Sequence, residues 1–338
     1  MKDNNSILKI KNYIEENYEI EVDRLEKVKN SYRIISKNKG YSMKLIRYNF
    51  KHFYFIMSAI KHLQRNKFSK IPEFIKTING EDYINLDGGY AYLTPWVPSR
   101  VSNYDNPLEL ARVSNKLAEL HECSKNFMIN DKMQPRIGWF SWEKVFETRS
   151  NEILDFKNRI SQKAHKSEFD LLYLNNIERE LNRAKESING LKHNNYIEMM
   201  EAEIFKSGFC HHDYANHNIL IDNNNEINII DFDYCILDSH LHDLASLLIR
   251  SMKYGKWENK KADLILKNYE DIMELKKEEI PLIREFIRFP QCFWQLGIQV
   301  YWEQQDWGLE FFINKLNKYL DDCYEREAFI DDYFKGGD

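Results

Sequence analysis

The hydrophobic period changes repeatedly along the first hundred residues. Ile7, Leu8, Ile10 and Ile14 share one face of a helix predicted over residues 5–17, with Ser6 as its candidate cap. Short strand-type runs follow at 20–28, 32–35 and 41–48, the last two separated by the turn formers Asn38, Lys39 and Gly40. A helix over 51–66 sets Phe55, Ile56, Ala59, Ile60 and Leu63 on one side. Residues 83–86 and 90–97 alternate around Asp87-Gly88-Gly89, which reads as a hairpin turn. Beyond that the period is mostly helical, over 106–123, 142–200 and 244–252. One strand pair interrupts it: Ile219-Leu220-Ile221 and residues 227–230, flanking the turn formers Asp222 to Asn225. The pattern predicts an α+β protein with a small antiparallel-sheet lobe (1–96) and a larger, mostly helical lobe (97–338).

With 338 residues, 43% of them hydrophobic and 30% charged, the chain is globular and long enough for two lobes. A net charge of -5 argues against a general nucleic-acid binder. The balance is uneven, because residues 1–96 carry 17 Lys+Arg against 11 Asp+Glu. A basic lobe for phosphates and an acidic lobe for a cationic acceptor fit that split, as does ordinary variation among solvated faces. Five scattered cysteines without a C-x-x-C pair suggest a reducing compartment and no structural zinc. No stretch has the apolar length of a signal peptide or a membrane span, so the expected location is the cytoplasm.

Candidate chemistry concentrates between Cys210 and Asp243. His211-x-Asp213 is followed five positions later by Asn218, and Asp231-Phe232-Asp233 closes the apolar run of the second strand. Phosphoryl transfer needs a carboxylate at the attacking hydroxyl and oxygen ligands that hold Mg²⁺ on the nucleotide phosphates. At these residues the chain resembles the kinase-like phosphotransferases of the aminoglycoside and choline kinase branch, which carry H-x-D-x-x-x-x-N and then an Asp-bearing strand. The resemblance implies a bilobal protein kinase-like fold. It implies that Asp213 orients or deprotonates the acceptor, that His211 braces the loop beside it, and that Asn218 and Asp231 hold the metal. Asp233 ranks lower, because alternate residues of an extended strand face opposite ways. Asp243, opening the helix at Leu244, is expected to be the buried carboxylate under the loop.

Lys44 stands among Met43, Leu45 and Ile46, where an ammonium is costly to bury without an anion. Its position is the one the family gives to the nucleotide lysine; the alternative is an edge-strand lysine facing water. Thr94-Pro95-Trp96 falls at the expected hinge, so Thr94 and Trp96 are the candidate adenine contacts. Two departures stand out. No glycine lies between Val28 and Arg33, so no glycine-rich loop covers the phosphates. The helix over 51–66 carries no Asp or Glu, so the usual acidic partner of the lysine is missing there.

Five of the ten histidines lie between His211 and His242, but their spacing does not define a zinc site. His121, at the end of Leu117-Ala118-Glu119-Leu120-His121, reads as structural. The last third is aromatic, with Phe293-Trp294, Tyr301-Trp302, Trp307 and Phe311-Phe312 among Glu303, Asp306 and Glu310. Such residues suit a core or a cage for a cationic or sugar acceptor. From about Tyr32 to Phe334 the chain is similar to the CotS-type spore coat proteins of spore-forming bacteria. That resemblance implies ATP and Mg²⁺ as cofactors, and as partners the nucleotide, an unidentified hydroxyl acceptor and other spore coat proteins, with no nucleic acid and no membrane. It also implies deposition in the spore coat. Two functions follow: phosphorylation of a hydroxyl on a small molecule or saccharide, or a coat component whose kinase fold performs little or no chemistry.

Overall fold

The computed structural model describes residues 2–28, 31–86 and 88–335. The strand-type runs of the first hundred residues build one antiparallel sheet. Its strands β1 (Arg24–Val28), β2 (Ser31–Ser36), β3 (Lys39–Ile46), β4 (Ile84–Leu86) and β5 (Gly89–Pro95) lie in the order β1-β2-β3-β5-β4. Helices α1 (Lys2–Asn17) and α2 (Phe50–Arg65) complete this region. Because side chains alternate along a strand, each helix takes its own set of sheet residues. Met43, Ala91 and Leu93 cluster with Ile10, Ile14 and Tyr18 of α1 and its exit. Ile46, Tyr90 and Tyr92 cluster with Phe53 and Met57 of α2. Lys44, opposite Tyr92 in the β3–β5 register, belongs to the α2 set.

Two local expectations change. Helix α1 begins at Lys2, so Ser6 lies inside it rather than capping it. The turn between β2 and β3 is Lys37-Asn38, with φ of 45° and 66°, the positive values of a two-residue hairpin turn. Gly40 is therefore a strand residue opposite Ile35, and a Cβ on it would stand 2.9 Å from the Trp96 Cβ. Of the hairpin turn before β5, Asp87 lies outside the described residues and Gly88 has φ 80°.

A second sheet joins β6 (Ser99–Val101), β7 (Ile219–Asp222) and β8 (Ile227–Ile229), with Ile219 opposite Ile229. Asp222 fixes the β7–β8 turn by accepting from the amides of Asn224 and Glu226, both at 2.9 Å. By contacts, residues 129–135 and 216–233 belong with the chain up to Ser102 in one compact unit. The β7–β8 hairpin, assigned from sequence to the larger lobe, is thus part of the sheet-bearing unit.

The second unit takes Asn103–Met128, Arg136–Ala215 and the chain from Tyr234. Its helices are α3 (Pro107–Ser124), α4 (Trp142–Ser161), α5 (Glu168–His193), α6 (Tyr196–Lys206), α7 (Leu241–Met252), α8 (Asn259–Glu270), α9 (Ile280–Arg288), α10 (Gln291–Gly297) and α11 (Leu309–Tyr333). Asn106 caps α3 by accepting from Leu108 and Glu109, and Ser167 caps α5 in a capping box with Asp170. Phe156, Phe169, Tyr173, Phe293, Tyr301 and Phe312 pack one core among α4, α5, α10 and α11. The aromatic C-terminal third is therefore divided: Trp302, Trp307 and Phe311 stay 46%, 50% and 38% exposed. Among the described residues all five cysteines are free, and no helix is long and apolar enough to cross a membrane.

Candidate functional site

In the sheet-bearing unit two of the expected residues, Asp231 and Asp233, meet at Lys44. Its ammonium lies 2.6 Å from Asp231 Oδ1 and 2.8 Å from Asp233 Oδ1. The expectation that Asp233 faces away is corrected by the backbone. Asp231 has φ 65°, and residues Phe232–Tyr234 form a 3₁₀ turn rather than an extended strand, so both carboxylates reach the same cation. Asp is among the few side chains that tolerate the left-handed region. Helix α2 indeed contributes no acid, and the pair Asp231–Asp233 takes over the partner role that it lacks. Burial disfavours the Lys44 ammonium, but Tyr92, Asp233 and Asp231 outweigh it and hold its pKa above the ordinary lysine value.

Asn218 closes a 3₁₀ turn at the start of β7, and its carbonyl accepts from Ile230 N–H at 3.0 Å. The ladder therefore brings Asn218 and Asp231 to the same end of the hairpin. An amide oxygen and two carboxylates are the hard oxygen donors that suit a divalent cation such as Mg²⁺, and the pair already balances one positive charge. The donor set fits the metal.

Thr94 is buried near the end of β5, opposite Ser42. The amide of Trp96 donates to Gly40 O at 2.9 Å, so that N–H is committed within the sheet, and the Arg33 guanidinium lies 4.8 Å from the ring centroid of Trp96. An adenine contact through the Trp96 amide, expected from sequence, has its donor already engaged.

In the helical unit, the segment from His211 to Asp213 is suspended from Asp243. That carboxylate, fully buried in the first turn of α7, accepts from the amides of His211 at 2.7 Å and His212 at 2.9 Å. His121 Nε2 adds a contact at 3.4 Å, while its Nδ1 meets the Tyr269 hydroxyl at 2.8 Å. Burial opposes the Asp243 charge, yet His121 and His242 hold its pKa well below the carboxylate range. The buried His211 ring accepts from Asp213 N–H at 3.3 Å, so it shapes the loop rather than meeting solvent. His212, at φ 66°, stacks on His242 with ring centroids 4.1 Å apart, and burial with that neighbour pulls its pKa to about 3. Asp213 is paired with Arg250, whose Nη2 donates to Oδ1 at 2.8 Å. Arg250 escaped the sequence reading, although its position seven residues after Asp243 on one helix was a usable signal.

A second constellation also escaped it. His240 Nδ1 lies 3.1 Å from Glu203 and Nε2 lies 3.6 Å from Glu279, with all three side chains buried. Lys206 contacts Glu203 and stands 3.9 Å from Glu279. His240 and His242 do not form a metal pair: one bridges two glutamates and the other stacks on His212.

The comparisons agree with this architecture. The chain is 22% identical to Spore coat protein S of Bacillus subtilis (strain 168) over 279 residues, 82% of this chain and 79% of that one. Its structure is similar to an aminoglycoside phosphotransferase from Alicyclobacillus acidocaldarius (TM-score 0.85, 21% identity, 96% of each chain). It is also similar to a spectinomycin phosphotransferase solved with ADP and spectinomycin (TM-score 0.68, 14% identity, 95% and 98% covered). A third neighbour is the amicoumacin kinase solved with AMP-PNP and Ca²⁺ (TM-score 0.62, 15% identity, 96% and 92% covered). The fold is the kinase-like fold of small-molecule phosphotransferases, an antiparallel sheet region followed by a mostly helical remainder. Matched from residue 11 to residue 333 by the model described as "Spore coat putative kinase YutH", the chain belongs to that spore coat family.

Proposed function

We propose that this protein is an ATP-dependent phosphotransferase of the spore coat, acting on a hydroxyl of a small molecule or saccharide. The observation that carries this reading is the convergence of Lys44 with Asp231 and Asp233 at the end of the hairpin that also bears Asn218. Residues 1–96 serve the nucleotide, with Thr94 and Trp96 at the adenine, Trp96 through groups other than its committed amide. Residues 97–338 carry the catalytic loop and the acceptor side. Asn218 and Asp231 would hold Mg²⁺, which would neutralise phosphate charge. Lys44 binds the phosphates. The acceptor oxygen attacks the γ-phosphorus, the bond to the β–γ bridging oxygen breaks, and ADP leaves with that electron pair. Asp213 orients the hydroxyl and takes its proton, and His211 keeps the Asp213 backbone in place.

Thermal unfolding with ATP, with and without Mg²⁺, tests this on wild type and Asp231→Ala. A ligand specific for the folded state adds about 2.7 kcal/mol at one hundred times its dissociation constant. A Mg²⁺-dependent rise lost in Asp231→Ala is expected. No rise at millimolar ATP transfers the assignment to the second reading, a kinase-fold coat component without turnover. That reading draws on Arg250, which occupies the carboxylate of Asp213.

A further inference from the structure

We propose that the acceptor is anionic, a hydroxyl compound also carrying a carboxylate or phosphate that Arg250, Lys253 and Lys315 bind. The proposal rests on the phosphotransferase reading above. Arg250 stands in the last turn of α7, its Nε on Ser246 Oγ at 3.2 Å and its Nη2 on Asp213. Three residues on, Lys253 has no carboxylate at ion-pair distance among the described residues; its ammonium lies 5.0 Å from the Tyr254 ring centroid. Lys315 of α11 likewise has no such carboxylate among the described residues, and lies 4.4 Å from the Phe311 and 5.5 Å from the Trp307 centroid. The exit of α7 meets α11 where the Gly255 amide donates to Asp322 at 2.8 Å, and Lys315 stands seven residues before Asp322 on that helix. Burial chiefly, with the like charges of Arg250 and Lys315, keeps the Lys253 pKa below the ordinary lysine value, against the pull of Cys292 and Asp322. Asp322 is itself committed to the Gly255 amide and the Trp257 indole, both at 2.8 Å.

Three cations beside a carboxylate that one of them already holds repel an amine-bearing acceptor and attract an acidic one. An acid group arriving there gives Arg250 an alternative partner, so that binding of the acceptor releases Asp213 for the hydroxyl. The planar guanidinium suits such an exchange, because it presents a two-pronged face to carboxylate or phosphate. The half-exposed Trp307 and Phe311 rings lie on the same run of residues and offer flat faces to a sugar ring. Arg250 is thus a positioning residue for Asp213 as well as a ligand of the acceptor.

The test is calorimetric titration of the full chain with glucuronate and with glucose 6-phosphate, beside glucose and the polycation kanamycin. Variants Lys253→Gln, Lys315→Gln, Arg250→Gln and Arg250→Lys are titrated in parallel, and MgATP is titrated into each. The expected result is binding of both acidic probes, weakened at least tenfold in each Gln variant, and only partly restored in Arg250→Lys, which keeps the charge but not the two-pronged face. In turnover of the acidic sugars with MgATP, Lys253→Gln raises KM with little change in kcat, whereas Arg250→Gln changes both. Kanamycin or glucose binding as tightly as the acidic probes, or acidic binding unaltered in the Gln variants, overturns the proposal. MgATP bound without any preference for acidic probes sinks the acceptor assignment alone. Acidic probes bound without MgATP sink the phosphotransferase reading instead.

Discussion

Two clusters in this protein repeat one chemical plan, a cation between two carboxylates, in opposite surroundings. Lys44 between Asp231 and Asp233 keeps side-chain exposures of 15%, 42% and 27%. His240 between Glu203 and Glu279 is sealed, at 4%, 6% and 1%. In the first, water reaches both carboxylates although Lys44 is mostly covered, so the ion pairs contribute modestly and an incoming ligand can replace them. In the second, desolvation makes each charge depend on the others, and removing one leaves the rest uncompensated. Burial, rather than residue type, separates a cluster suited to exchange from one suited to bracing.

The largest effect is expected when the central cation is removed from the sealed cluster. His240→Ala leaves Glu203 and Glu279 buried with Lys206 and the Lys276 amide as remaining partners, and a loss of about 3–5 kcal/mol is expected for one partner removed from a buried ion pair. Chemical denaturation monitored by tryptophan fluorescence measures it. A loss below about 1 kcal/mol would mean that the glutamates are neutral or hydrated, and the contrast between the clusters would collapse.

The difference between the clusters also explains what could be read from the sequence. The antiparallel sheet and the β7–β8 hairpin follow from alternation and turn formers, which are local signals, whereas the expected cap Ser6 falls inside α1 and the helical span 142–200 divides into α4, α5 and α6. The order Asp213, Asn218, Asp231 was equally visible, because it lies within one short stretch. What stayed hidden depends on backbone shape or on distant partners. The left-handed Asp231 turns an expected strand into a bend, which brings Asp233 onto Lys44 and supplies the acid missing from α2. Glu203, His240 and Glu279 come from α6, the start of α7 and the segment before α9, and no periodicity links them. The aromatic C-terminal third carries the pattern of a core throughout, and only packing decides that Phe312 is buried while Phe311 is not.

Protonation gives a gentler probe of the sealed cluster. Burial disfavours the His240 imidazolium, but its hydrogen bond to Glu203 and the Glu279 carboxylate 3.6 Å away prevail and raise its pKa above the ordinary 6.5. A raised histidine contributes stability that is complete below 6.5 and is lost as pH climbs through the folded value. Glu203 mirrors it: burial pushes its carboxyl up, while His240 and Lys206 bring it down to about 2, so its share is present above 4.5 and disappears as pH falls toward 2. Wild type should therefore lose stability from pH 6.5 upward, by about 1.4 kcal/mol for each unit by which the His240 pKa is raised. Urea titrations across pH 6–9 should show that decline in wild type and its absence in His240→Gln. Parallel curves for the two proteins would place the alkaline sensitivity elsewhere.

The smallest effect on stability, and the clearest on function, is expected at the open cluster. Lys44→Met removes the cation between two partly solvated carboxylates, which relax into water, so unfolding free energy should change by less than about 1 kcal/mol. The same substitution takes away the positive charge proposed to meet the phosphates, and the stabilisation by MgATP should fall with it. Denaturation with and without nucleotide separates the two quantities in one experiment. A large loss of stability in the absence of nucleotide would make Lys44 a bracing residue like His240. An intact protein with an undiminished response to MgATP would remove Lys44 from the nucleotide site and leave Asp231 and Asp233 to be explained without it.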